Sequence, residues 1–264
     1  MQRTNEFKGG KINYLVSGKG PAVVLLHGFA EDSAVWKKQS AVLKDTHTVI
    51  TPDLPGSGAS NEAHNLSMEF IAESVKAVLD WEHITTCCMI GHSMGGYVTL
   101  AFAEIFPDLL NSFGLFHSTA FSDSEEKINT RRKGIEFMNE QGAEAFLRSS
   151  IPGLFSSCSK EAATLLIEKH IERVSYFRKQ PLIAYYEAMI RRPDRSSLLK
   201  QNNLPILFVL GRYDNAVPLE QGLRQAHLPD VSFVHILEKS AHMGMLEEPD
   251  ETNAILKNFL LKTV

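Results

Sequence analysis

The sequence predicts an α/β fold: a mostly parallel sheet flanked by helices, interrupted by an inserted block of helices. Three observations carry this. Short apolar runs and helix-period segments alternate from Pro21 to His117, the rhythm of parallel strands joined by helical crossovers. The clearest of these runs are apolar throughout, as strands covered on both faces are. From Thr119 to Arg195 the strand signal stops and only helical patterns remain, before strands resume at Pro205. The expected organisation is a core made of 1–118 and 196–264, with 119–195 inserted as a helical cap. Such an insertion would cover the carboxyl edge of the sheet, where α/β proteins take ligands. At 264 residues, one large core is sufficient.

The elements follow in order. Lys11 to Ser17, between Gly9-Gly10 and Gly18-Lys19-Gly20, reads as a hairpin strand. Pro21 to His27 is a buried strand, followed by Asp32-Ser33 as a helix cap ahead of Ala34 to Leu43. His47 to Leu54 is the next strand, closed by the turn Pro55-Gly56-Ser57-Gly58. From Ser67 to about Trp81, Met68, Ile71, Val75, Val78 and Leu79 recur at helical spacing, with Ser67 as cap. Cys87 to Ile90 is a short buried strand, and the apolar run behind Gly96 is a buried helix ending near Pro107. Ser112 to His117 is another strand. The inserted helices span roughly Ser124–Asn139, Ala143–Ser149, Lys160–Arg178 and Pro181–Arg192. Strands return at Pro205–Leu210 and Val231–Leu237, and a last helix runs from about Pro249 to Lys262.

Composition narrows the function classes. Hydrophobic residues are 44% and charged residues 22%, ordinary for a globular protein. A formal charge of -4 provides no basic footprint for nucleic acid. No apolar run approaches the length of a membrane span, and the first residues lack the apolar region of a secretory signal. Three cysteines cannot pair completely, with Cys87 and Cys88 in a buried strand and Cys158 far away. The expectation is a reduced, cytoplasmic protein. Histidines and acids show no metal-ligand spacing, so no metal or other cofactor is expected.

The chemistry centres on Gly91-His92-Ser93-Met94-Gly95, a G-x-S-x-G turn between a strand and a helix. In so sharp a turn the backbones beside 91 and 95 nearly touch, and a Cβ on either would collide. Ser93 would stand in strained geometry at a helix N-terminus, where developing negative charge is favoured. A serine hydroxyl needs a base within reach and an acid to orient that base. Asp214 follows the strand ending at Leu210, and His242 follows the strand ending at Leu237. An oxyanion needs two N–H donors; the candidates are the amides of Met94 and Phe29.

Four separated segments resemble the α/β-hydrolase superfamily: Leu26-His27-Gly28-Phe29, Asp53-Leu54-Pro55-Gly56-Ser57-Gly58, Gly91-His92-Ser93-Met94-Gly95-Gly96, and Gly211/Asp214 with His242. The resemblance implies a nucleophile at Ser93, an acid at Asp214, a base at His242 and a helical cap over 119–195. It implies a serine hydrolase acting on a small-molecule ester, small to medium in size, through an acyl-enzyme. Alternatives with the same triad are carbon–carbon bond hydrolysis or acyl transfer; a non-enzymatic alternative is a ligand sensor on a hydrolase scaffold. Epoxide hydrolases and haloalkane dehalogenases in the superfamily use aspartate where this chain has Ser93.

Other residues carry plainer expectations. His27 and Asp53 read as architectural, and His92 as shaping the turn. His117 either faces the pocket or is an indifferent strand-end histidine. Trp36, Trp81, Tyr176, Phe177, Tyr185 and Tyr186 read as packing, with one or two cap aromatics lining the acyl site. Arg131-Arg132 reads as a solvated face. An acidic substrate would need an arginine near Ser93, for which Arg131, Arg132, Arg191 and Arg192 are the candidates.

Overall fold

A computed structural model describes residues 1–61, 65–157 and 160–263, without the side chains of 160–163. The expectation for Cys158 lies outside the described residues. Strands β1 (Gln2–Phe7) and β2 (Gly10–Ser17) form an antiparallel hairpin. It turns through Lys8 and Gly9 at φ 46° and 82°, the paired positive φ of a tight hairpin turn. The remaining strands are β3 (Ala22–Leu26), β4 (Thr48–Pro52), β5 (Cys87–His92), β6 (Leu110–Phe116), β7 (Ile206–Gly211) and β8 (Ser232–Leu237). The sheet order is β1-β2-β4-β3-β5-β6-β7-β8. β4 pairs antiparallel with β2, and every pair from β4 to β8 is parallel. β1 is absent from the sequence expectation for a physical reason. It is an edge strand with no fully buried residue, so it carries no apolar run to read.

Between β3 and β4 lies α1 (Lys37–Leu43), entered through a 3-10 turn at Ser33–Trp36. The Asp32 carboxylate caps that turn by accepting from the Ala34 N–H. α2 (Met68–Trp81) begins at Ser67, whose hydroxyl accepts from the Phe70 N–H at 3.1 Å. α3 (Met94–Ile105) is buried from Met94 to Ala103, which is why it shows no polar face.

The segment between β6 and β7 contains no strand among the described residues. It holds α4 (Glu125–Ser150), α5 (Lys160–Val174), α6 (Lys179–Arg191) and α7 (Ser196–Gln201). The two helices expected over 124–149 are one run bent at Gly142, where φ 87° and ψ 169° leave helical geometry. The third helix stops at Val174 rather than Arg178, closed by a turn in which the Phe177 N–H binds the Val174 carbonyl. After β7 come α8 (Leu219–Ala226), then β8, α9 (Gly244–Glu247) and α10 (Pro249–Thr263). α7, α8 and α9 are too short for a helical period to emerge from sequence.

Alternate residues of β3 supply the two faces of the core. Val24 and Leu26 point into a layer built with α2 and α3, whereas Val23 and Leu25 point into one built with α1 and α10. Inserted helices join both layers, through Tyr185 and Met189 on one side and Met138 and Phe146 on the other. Cys87 and Cys88 are buried free thiols, and burial pushes the Cys88 thiol up to about 12. Trp36 is fully buried as expected, but Trp81 is 61% exposed at the end of α2 and packs little. No helix among the described residues is long and apolar enough to cross a membrane.

Candidate active site

Ser93 sits between β5 and α3 at φ 51° and ψ -115°, a strained conformation for a residue with a Cβ. The surroundings hold it there. Its N–H donates to the Phe116 carbonyl at 2.9 Å, and its carbonyl accepts from the Ser118 hydroxyl at 2.7 Å. The glycines are required by contact. A Cβ on Gly91 would lie 2.1 Å from the Gly95 carbonyl oxygen, and one on Gly95 would lie 2.6 Å from that of His27.

The three separated side chains meet. Ser93 Oγ lies 2.9 Å from His242 Nε2, and His242 Nδ1 lies 2.8 Å from Asp214 Oδ2. With Nδ1–H donating to the carboxylate, Nε2 is left to accept the hydroxyl proton. Asp214 Oδ1 accepts from the N–H groups of Ala216 and Val217 at 2.8 and 2.9 Å. Burial alone would raise the Asp214 carboxyl. The electrostatic attraction of the His242 imidazole and hydrogen bonds from both His117 and His242 overcome that and hold it well below the carboxylate range. The Met94 N–H opens α3 and so has no carbonyl one turn earlier to bind. The Phe29 N–H, just past β3, makes no backbone hydrogen bond among the described residues.

His117 is not an indifferent strand-end residue. Its Nδ1 lies 3.1 Å from the same Asp214 Oδ2, so two imidazoles donate to one carboxylate oxygen. The ring fits because its neighbours are small. A Cβ on Gly211 would approach its Cε1 to 2.9 Å, and one on Gly244 would approach its Nε2 to 2.5 Å. Burial pushes the His117 imidazole down to about 4, which keeps it neutral, and Nε2 has no hydrogen-bond partner among the described residues. His117, Asp214 and His242 bring three potential metal-ligand atoms within 4.8 Å. Both imidazoles spend their Nδ1–H on Asp214, so a cation would have to displace both bonds.

A buried ion pair lies beside His242, with the His92 and His242 ring centroids 4.9 Å apart. Glu31 Oε2 accepts from the Gly28 N–H at 2.7 Å and from His92 Nδ1 at 3.0 Å. His92 Nε2 in turn donates to the His242 carbonyl at 2.9 Å. An imidazole donating from both nitrogens is the protonated form. Burial opposes both charges, yet each is held by the other: Glu31 falls to about 2 and His92 is raised. This pair ties the loop after β3 to the backbone of the histidine loop. Sequence reading passed over Glu31, whose only signal was a carboxylate three residues beyond Gly28 in an apolar loop.

His27 and Asp53 do the architectural work expected of them. His27 Nδ1 donates to the Gly28 carbonyl and Nε2 accepts from the Leu54 N–H at 2.9 Å. Asp53 gathers the Ser33 N–H, the Asn13 amide and the Ala59 N–H within 3.0 Å.

Ser93 and His242 open into a cavity of about 130 Å³, also lined by Phe29, Tyr97, Val217 and, from the insertion, Lys127, Arg131, Leu154, Tyr186 and Met189. Tyr186 stacks on Phe29 with ring centroids 4.4 Å apart, while Tyr185 binds the Ser57 hydroxyl and the Pro55 carbonyl away from the cavity. Arg131 corrects an expectation. Its side chain is 11% exposed and paired with Asp123, not part of a solvated face; its neighbour Arg132 is exposed.

A mostly parallel sheet whose central strand ends in a strained serine turn defines an α/β protein of the hydrolase type. A family profile described as alpha/beta hydrolase fold matches residues 21–249, and the chain belongs to that family. It is 25% identical to a pyrrolizixenacetamide deacetylase of Xenorhabdus hominickii, over 97% of this chain and 98% of that protein. It is 29% identical to a pimeloyl-[acyl-carrier protein] methyl ester esterase of Aeromonas hydrophila, over 92% of this chain and 96% of the other. It spans 64% of an acetyltransferase component of the acetoin cleaving system of Pseudomonas putida, at 29% identity. A thermophilic esterase of Thermogutta terrifontis, solved with malate bound, superposes with a TM-score of 0.93 at 27% identity, covering 100% of this chain and 99% of that one. The protein is a hydrolase of the α/β fold with esterases among its relatives.

Proposed function

We propose that this hydrolase cleaves small carboxylic esters by nucleophilic catalysis at Ser93. His242 takes the hydroxyl proton as Oγ attacks the ester carbonyl, and Asp214 steadies the imidazolium that forms. The amides of Met94 and Phe29 receive the oxyanion. The alcohol leaves with the proton from His242, and water activated by the same imidazole releases the acid and restores Ser93. No cofactor enters this cycle. Residues 119–195 act as the cap that shapes the acyl site, and the narrow space over Ser93 favours small acids. The observation that carries the reading is the unbroken line from hydroxyl to imidazole to carboxylate, with contacts of 2.9 and 2.8 Å.

A fluorophosphonate probe should label Ser93, and Ser93→Ala should lose the label together with at least about 10⁴-fold of p-nitrophenyl acetate turnover. Labelling elsewhere, with turnover kept in the alanine variant, would refute the reading.

A further inference from the structure

The space over Ser93 holds more positive charge than a neutral ester has any use for. Lys127 and Arg131, one turn apart on α4, both line it. Arg131 pairs with Asp123 at 2.6 Å, but the same carboxylate also holds Arg192 at 3.0 Å. One buried carboxylate therefore faces two guanidinium groups, and Asp194 is a second carboxylate acting on Arg192, so the uncompensated charge at the cavity is that of Lys127. The Lys127 ammonium donates to the Ala216 carbonyl at 2.6 Å and pairs with no carboxylate among the described residues. Glu31 also lines the cavity but is matched by protonated His92. Beyond it, Asp194 and Glu126 border a wider opening together with Arg224. Asp194 there accepts from the Ser122 and Ser196 N–H groups and the Ser196 hydroxyl.

Tyr97 stands among these cations. It is 3% exposed, lines the cavity, and has the Arg192 guanidinium 3.8 Å from its ring centroid. Its hydroxyl meets no hydrogen-bond partner among the described residues. Burial pushes the phenol up, yet Arg192, Lys127 and Arg131 outweigh it and hold the group below its ordinary value. An ammonium without a carboxylate and a phenol hydroxyl without a partner give this cavity donors that an anionic ligand can take up.

We propose that Lys127, Arg131 and the Tyr97 hydroxyl receive a carboxylate carried by the substrate itself, so that the preferred esters are short and singly anionic. This rests on the ester-cleaving role of Ser93 and adds the substrate class to it. A cavity of about 150 Å³ takes up benzene, so the space here, about 130 Å³, suits a fragment of similar or smaller size. Lys127, Arg131, Tyr186 and Ala216 border both this cavity and the wider opening of about 760 Å³. The cations thus stand at the neck between the two spaces, within reach of a carboxylate on either the acid or the alcohol side of the ester.

The test compares kcat/KM for monomethyl glutarate with that for methyl 5-methylhexanoate, in which isopropyl replaces the carboxylate. Wild type should favour the charged ester by about tenfold to a hundredfold, and Lys127→Gln should lower that ratio by at least about tenfold. Arg131→Gln should do the same; Lys127→Gln leaves the Asp123 pairs in place, so the proposal stays testable if the arginine variant fails to fold. A third ester, 4-acetoxybutyrate, carries the charge on the alcohol side. Whichever charged ester is favoured over its neutral counterpart identifies the side. Glutarate binding to Ser93→Ala, followed by calorimetry, separates the two levels of the argument. Should wild type cleave none of these esters while glutarate binds and Lys127→Gln weakens it, the anion site stands and the ester chemistry falls. Equal or better turnover of the neutral ester, with the ratio unmoved in both variants, overturns the proposal.

Discussion

The sheet and the inserted helices divide the site between them, and they are built differently. Every residue of β3, β5 and β7 is buried. By contrast α4 buries only Gly134, Met138, Ala143, Phe146 and Leu147 of its 26 residues. Ser93 and Asp214 hang from the ends of fully packed strands, where a shift of a few tenths of an ångström meets close-packed neighbours. Lys127 and Arg131 hang from a helix that is half solvated. Groups that must keep hydrogen-bond geometry are placed on the rigid layer, and groups that set charge preference on the adaptable one. Substitutions in the two regions should therefore fail in different ways.

The largest effect is expected at the end of β7. Asp214→Asn keeps the shape but has one acceptor oxygen, so it cannot serve both the two imidazoles and the Ala216 and Val217 N–H groups, and kcat on simple esters should fall about 10⁴-fold with the fold intact by circular dichroism. A loss below about tenfold would move the acid elsewhere and weaken the division drawn above. Next comes Gly91→Ala, whose Cβ would press on the Gly95 backbone at 2.1 Å. Neither the buried strand β5 nor the buried first turn of α3 can yield, so a loss of more than about 4 kcal/mol in denaturant unfolding is expected.

A pH effect ranks third. The His117 imidazole is held down to about 4 from its ordinary 6.5, so the unfolded chain takes up its proton first. The stability this group contributes is complete above pH 6.5 and is lost as pH falls from there toward 4, by about 2–3 kcal/mol. The Glu31 carboxyl, held down to about 2 from 4.5, loses its contribution only below pH 4.5. His92, whose pKa is raised, keeps its contribution throughout the acid range. His170 shifts in the same sense as His117. The readout is therefore the difference between wild type and His117→Asn in urea midpoint at pH 7 and pH 4.5. An equal drop in both would remove His117 from the account. The smallest effect belongs to the insertion. Gly142→Ala meets nothing within 4 Å, and only its backbone conformation, φ 87° and ψ 169°, penalises a side chain, by about 1–3 kcal/mol.

The same contrast explains what could be read without coordinates. Strand ends are legible because a buried strand is an apolar run; Ser93 lies in the turn after one, and Asp214 and His242 lie on the loops after two later ones, picked out by the nucleophile–acid–base order of the superfamily the sequence resembles. The partners of those residues were harder. Glu31 carries no motif of its own, and His117 reads equally as a pocket residue or an indifferent strand end, because burial and pairing arise only when β6, β7 and the histidine loop come together. On α4 the reading of Arg131 with Arg132 as one solvated pair failed for a simple reason. Adjacent helical residues point in different directions, whereas Lys127 and Arg131 share a face. What faced them could not be read from either residue, since Tyr97 lies on α3 and Asp123 before α4.

One contact links the two regions more tightly than their packing suggests. The His242 N–H donates to the Leu154 carbonyl at 2.9 Å, so the main chain of the imidazole loop is tethered to the short turn that follows α4. An outward swing of that turn must either sever this tether or drag the imidazole off the serine hydroxyl. Any displacement of that turn would be felt at the imidazole, and deuterium uptake at the His242 amide would report how often this hydrogen bond opens.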